Sequence, residues 1–182
     1  MHRNDGEVAV HIDCDGDISG NAYNRKKEES NASDSKIFKI FVVGSSGPVA
    51  RSIISELSLP KYRDIFKLTV MSHSLYDNRK ERLFNEYKRN GVRLIEGDAL
   101  EDDVEYLAHL MRGHDVIVST VGPIDVIGEG QVNLMRAAEL ADVDWFIPSE
   151  YSMDCMETKG RNLFGFDAKA EIEEALQKSA LN

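Results

Sequence analysis

From Ile37 onward, short unbroken apolar runs alternate with stretches whose apolar residues recur every three or four positions. The first run, Ile40-Phe41-Val42-Val43, stops at Gly44. A strand covered by helices on both faces reads this way, because neither side of its pleat needs polar side chains. Ala50, Ile53, Ile54 and Leu57 then share one side of a helix, which Leu59-Pro60 ends. Lys67 to Met71 is predicted as the second strand, followed by a helix capped by Asp77 or Asn78 with Leu83, Phe84 and Tyr87 on one side. Val92 to Ile95 is a short third strand leading into Glu96-Gly97-Asp98. A helix from Asp102 to Met111 turns Leu107, Leu110 and Met111 inward. Val116-Ile117-Val118 is the fourth strand, ending at Ser119-Thr120. A helix over Gln131 to Ala141 buries Leu134, Met135 and Ala138; Trp145-Phe146-Ile147 is the fifth strand, terminated by Pro148. The last helix, Asp167 to Lys178, carries Ile172, Ala175 and Leu176.

Strands separated by helices predict an α/β fold, a Rossmann-like parallel sheet of about five strands with right-handed crossovers. The alternative, an antiparallel α+β arrangement, requires these short strands to pair despite the helices between them. Residues 1–35 break the pattern. They hold scattered charge and few large apolar side chains, and read as a mostly disordered acidic arm, leaving 36–182 as the folded body. Asp13, Asp15 and Asp17 fail as a calcium loop, since Ile18 stands where glycine is needed and Asn24 where glutamate is.

Composition narrows the partners. Among 182 residues, 22 are basic and 32 acidic, a net charge of −10. That balance argues against a broad nucleic-acid surface but leaves room for a local anion site. No run approaches the length needed to cross a bilayer, and the N-terminus lacks an apolar signal-type core. Two cysteines, Cys14 and Cys155, make neither a disulfide scaffold nor an all-cysteine metal site. The expectation is a cytoplasmic protein acting on a small molecule, without nucleic-acid, membrane or metal partners; oligomeric state is left open.

The sharpest chemical signal is Val43-Gly44-Ser45-Ser46-Gly47-Pro48-Val49-Ala50, set between a strand and a helix. Gly44 permits the tight turn, Gly47 lets the backbone approach a pyrophosphate at the helix N-terminus, and Ala50 is the third small position. Gly47 is not followed by Lys and Ser/Thr, so this is no ATPase loop. The second strand ends in Ser72-His73-Ser74 with no carboxylate for an NAD ribose. That leaves Ser72, Ser74, or Arg79 or Arg82 to receive the 2′-phosphate of NADP, with His73 beside them. Ser119-Thr120-Val121-Gly122 ends the fourth strand where a ligand should lie, and Lys169 follows Phe166 at helical spacing, where it can reach a nicotinamide. Glu150, if buried, requires hydrogen bonds or a charge partner.

Together VVGSSGPVA (42–50), EGD (96–98), VIVSTVG (116–122), FIPSEYSMD (146–154) and FDAK (166–169) resemble the NmrA-like and isoflavone-reductase-like branch of the atypical short-chain dehydrogenases/reductases. The resemblance covers residues 37–182. It implies NADP(H) on Gly44 to Ala50, His73 near the place of the arginine that usually binds the 2′-phosphate, Ser119 to Gly122 on the nicotinamide side, and Lys169 as the active-site lysine. The Tyr-xxx-Lys pair of ordinary short-chain dehydrogenases is absent, because Cys155 stands four positions after Tyr151. Members of the branch continue into further strands and a substrate-covering region; beside them this chain reads as a partial NAD(P)-binding domain truncated at its C-terminus. The implied activity is reduction by NADPH of a small organic carbonyl or conjugated alkene in secondary metabolism. The alternatives are a non-catalytic NADP(H)-binding regulator and an inactive remnant.

Overall fold

Phe41 and Val43 point to one face of the sheet, Ile40 and Val42 to the other, and all four are buried. This is why the first strand shows no polar alternation. The computed structural model describes residues 36–122, 126–151 and 167–181. The acidic arm with Asp13 to Asp17, Cys14, Cys155 and Pro123 lies outside them.

The central strand β1 (Phe38–Val43) pairs in parallel with β2 (Phe66–Ser72) on one side and β4 (Val116–Ser119) on the other. β3 (Arg93–Glu96) extends the sheet beyond β2, and β5 (Trp145–Ile147) lies beyond β4, giving the order β3-β2-β1-β4-β5. Every pairing is parallel, which removes the antiparallel alternative. The helices are α1 (Pro48–Leu57), α2 (Glu81–Arg89), α3 (Val104–Met111), α4 (Gln131–Leu140) and α5 (Asp167–Leu176). α1 and α2 cover one face, burying Ala50, Ile54, Phe84 and Tyr87 with Ile40, Val42, Leu68 and Val70. α3 and α4 cover the other, burying Leu107, Met111 and Leu134 with Phe41, Met71, Ile117 and Phe146. Each fully buried Leu, Ile or Phe contributes about 1.5–3 kcal/mol, so these two layers are the main source of stability.

Strand and helix cores stand where the sequence spacing puts them, and the boundaries move. Neither Asp77 nor Asn78 caps α2. The Asp77 carboxylate accepts the Arg79 backbone N–H and both ends of its guanidinium, each at 3.0 Å, and the helix starts only at Glu81. Asp102 likewise lies outside α3 and accepts the Asp98 N–H at 2.8 Å, leaving Asp103 as the residue before the helix. Two elements carry no periodic signal: a 3-10 turn at Pro60–Tyr62 and a π-helical turn at Val126–Gly130 that runs into α4. On the edge strand β5 only Phe146 enters the core, with Trp145 and Ile147 exposed.

His114 sits in the loop before β4. One ring nitrogen, Nδ1, faces the Met111 carbonyl at 2.9 Å, and Nε2 faces the Thr69 hydroxyl at 3.0 Å, with Phe41 edge-on at 5.1 Å. A carbonyl only accepts, so Nδ1 carries a proton, and in the neutral ring Nε2 accepts from the Thr69 hydroxyl. Burial holds its pKa below the usual 6.5. The unfolded chain therefore takes up this proton before the folded one, and stability falls as pH drops through 6.5 toward the folded value. Urea midpoints measured from pH 7.5 to 5 are expected to fall less steeply in His114→Gln than in the parent; equal slopes would remove this role.

Candidate functional site

Parallel strands deliver their carboxyl ends to one edge of the sheet, and a cleft of about 800 Å³ lies there. Its floor begins with Gly44, which leaves β1 at φ +95, a conformation that favours glycine. A side chain at this point would bring its Cβ to 2.6 Å from Thr120 Oγ1. The approach is fixed by Thr120, whose backbone N–H and hydroxyl both donate to the Val43 carbonyl, at 2.9 and 2.7 Å. From the other side, the Gly44 N–H donates to the Met71 carbonyl at 3.1 Å.

The turn then enters α1 with Pro48 at its first position and Gly47 as its cap residue. Among the described residues no side chain caps this end, and a Cβ at Gly47 would meet none of them within 4 Å. An uncapped helix start facing open space is a ready anion site, since backbone N–H groups and the helix dipole both favour negative charge. Ser45 is tied down twice. Its hydroxyl donates to Ser72 Oγ at 3.0 Å, which donates on to the Ser74 carbonyl at 3.1 Å, and its carbonyl accepts the Tyr87 hydroxyl at 2.9 Å. Burial pushes the Tyr87 phenol up to about 12.

At the far end of the cleft, Lys169 projects from α5 and is only 6 % exposed. An ammonium this buried must be paired. Its Nζ donates to the Ser149 carbonyl at 2.7 Å and lies 3.4 Å from Glu150 Oε2. Ser149 is itself held by Gln131 Oε1, which accepts its N–H at 2.8 Å, and by the Val121 carbonyl, which accepts its hydroxyl at 2.7 Å. Burial raises the Glu150 carboxyl pKa and the Lys169 charge opposes the rise. Ser119 Oγ, Gln131 Nε2 and Glu150 Oε1 are buried without a hydrogen-bond partner among the described residues.

Gly44, Ser45, Ser46, Gly47, Pro48, Val49, His73, Thr120, Val121, Gly122 and Lys169 all line the one cleft. Ala50 does not; it is buried beneath the turn, as a small packing position should be. Ser119 is wholly buried one residue behind the lining. Arg82 is exposed on α2 away from the lining, and Arg79 is engaged by Asp77. Besides Lys169, the cation that lines the cleft is Lys80, between those two arginines, which the spacing does not pick out. Asp98 to Leu100, Val126, Ile127 and Ser149 also line it without having been singled out. The EGD run and the strand-terminating Pro148-Ser149 were the available signals for Asp98 and Ser149. Among the described residues, no helix is long and apolar enough to cross a membrane.

The NmrA-like family profile matches residues 36–182. Phenylcoumaran benzylic ether reductase PT1 of Pinus taeda is 27% identical over 146 residues, covering 79% of this chain and 46% of its own length. Among solved structures, AtPrR2 with NADP+ and (+)pinoresinol superposes with a TM-score of 0.64 at 26% identity, over 80% of this chain and 48% of that one. Leucoanthocyanidin reductase of Vitis vinifera, in its binary complex with NADPH, has a TM-score of 0.66 at 18% identity, over 79% and 47%, a likeness of fold. The chain thus spans about half the length of the curated relatives it matches. With that profile spanning the whole parallel sheet and its cleft, this chain belongs to the NmrA-like family.

Proposed function

We propose that the cleft binds NADP(H) and that the protein reduces a small organic carbonyl, conjugated alkene or related electrophile of secondary metabolism, with Lys169 as proton donor and stabiliser of the developing anion. The observation that carries this reading is a buried lysine sharing one cleft with an uncapped glycine turn. The residues fit the dinucleotide. The open space at Gly47 and the bare start of α1 suit a pyrophosphate, and His73 and Lys80 line the same cleft where a 2′-phosphate needs donors. No carboxylate stands at the tip of β2, where NAD-binding sheets commonly hold one.

When bound, NADPH supplies the reducing electron pair from its nicotinamide ring. The chain's own contribution is electrostatic. The Ser149 carbonyl holds the Lys169 ammonium in place with the Glu150 carboxylate 3.4 Å away, so a proton and a positive charge stand ready beside an oxygen or carbon that becomes anionic. The named ligands of AtPrR2 and the names of the relatives support including benzylic ethers and lignan-type compounds among the trial substrates.

Calorimetry with NADP+ and NAD+ tests the first requirement, and NADP+ is expected to bind more tightly. Lys80→Ala should weaken NADP+ about tenfold, the effect of losing one charge-assisted hydrogen bond, and leave NAD+ nearly unchanged. No heat with either nucleotide would remove the reading. Binding without turnover across aldehydes, ketones, enones and benzylic ethers would favour the non-catalytic regulator.

A further inference from the structure

We infer that Tyr87 is a positioning residue for the anion-binding turn: its hydroxyl, by holding the Ser45 carbonyl, turns the Ser46 N–H into the cleft. This inference rests on the NADP(H) reading only for the identity of the anion. Tyr87 is 3 % exposed and lies on α2, 42 residues beyond the turn it touches. A buried phenol needs an acceptor, and the one it finds, at 2.9 Å, is the carbonyl of Ser45, the residue immediately after Gly44.

The consequence follows from peptide geometry. The described chain has no cis peptide bond, so the carbonyl of Ser45 and the N–H of Ser46 point in opposite directions from one plane. Drawing the carbonyl toward the buried Tyr87 hydroxyl therefore sends the N–H the other way. Ser46 lines the cleft, and its N–H makes no hydrogen bond among the described residues. A turn with glycine at 44 and 47 has enough backbone freedom to rotate this peptide unit. Two contacts oppose that rotation: Tyr87 on the carbonyl and the Ser72 hydroxyl on the Ser45 side chain. A donor fixed before the ligand arrives needs no ordering on binding.

Tyr87→Phe keeps the ring in the core and removes only the hydroxyl. In the ligand-free protein, the NMR order parameter of the Ser46 amide is expected to fall from the rigid range near about 0.85 toward about 0.6, while amides of Val116–Ser119 stay unchanged. NADP+ affinity should fall about fivefold, the effect of one neutral hydrogen bond, and that of 2′-AMP, which has no pyrophosphate, should not change. An equally rigid Ser46 amide in the variant would overturn the inference. If neither protein binds NADP+ but the Ser46 amide loosens, the positioning role stands and the dinucleotide reading falls. If the variant does not fold, the parent decides: saturating NADP+ should slow hydrogen exchange at the Ser46 amide, and unslowed exchange with NADP+ bound would overturn the inference.

Discussion

Lys169→Ala is expected to reduce turnover by about 10²- to 10⁴-fold, the range for losing a positioned proton donor, with NADPH affinity kept within about twofold. The asymmetry comes from where the lysine stands. It is held by Ser149 and Glu150 just beyond the carboxyl end of β5, whereas the anion-binding turn is built by Thr120, Met71, Ser72 and Tyr87. Removing Lys169 breaks none of the bonds that shape the turn. It does strip Glu150 of its counter-charge, and a half-buried carboxylate without one takes up a proton more readily. Glu150→Gln separates the two effects: the lysine remains, its charged partner is gone, and turnover should fall less than in Lys169→Ala. Steady-state rates and calorimetry on both variants make the test. Unchanged turnover in Lys169→Ala would remove the lysine from the chemistry, and an equal loss of binding would assign it to cofactor architecture.

What the sequence made legible follows from how strongly each position is constrained. β1 is flanked by a strand on both sides and a helix layer on both faces, so Ile40 to Val43 had no alternative but to be apolar, and the run is unmistakable. The same logic placed the glycine turn, since its meaning depends on a strand before it and a helix after it. Lys169 was legible through its resemblance to a known spacing rather than through its own surroundings, because its partners, Ser149 and Glu150, lie 20 and 19 residues away. Where one short side chain diverts a neighbour, spacing misleads. Asp77 captures Arg79 and delays α2, and the cation that reaches the cleft is Lys80 instead of Arg82. Tyr87 read as a core residue from its helical spacing, and it is one; only the position of its hydroxyl oxygen, set by the packing of α2, reveals the bond to Ser45. The π-helical turn at Val126–Gly130 has five residues, too few for a period to show.

The two glycines of the turn should separate stability from binding. Gly44→Ala forces an alanine into φ +95 and sets its Cβ 2.6 Å from the Thr120 hydroxyl and 3.2 Å from the Thr120 carbonyl. The left-handed backbone costs about 1–2 kcal/mol and the overlap with a pinned strand end another 1–3, so the expected loss is about 2–5 kcal/mol. For a domain of this size the thermal midpoint should drop by on the order of 10 °C. Thr120 has no easy retreat, because moving it breaks both of its bonds to Val43. Gly47→Val meets the opposite conditions. Its φ of −67 and ψ of 161 suit a β-branched residue, and none of the described residues lies within 4 Å of the added Cβ. The loss of stability should stay near about 1 kcal/mol, from a poorer helix start. The side chain, however, stands where the pyrophosphate would approach, and NADP+ binding should weaken tenfold or more, about 1.4 kcal/mol. Thermal unfolding and calorimetry on the pair give the answer. If Gly44→Ala melts like the parent, the contact with Thr120 is relieved elsewhere; if Gly47→Val binds NADP+ like the parent, the nucleotide does not lie against this turn.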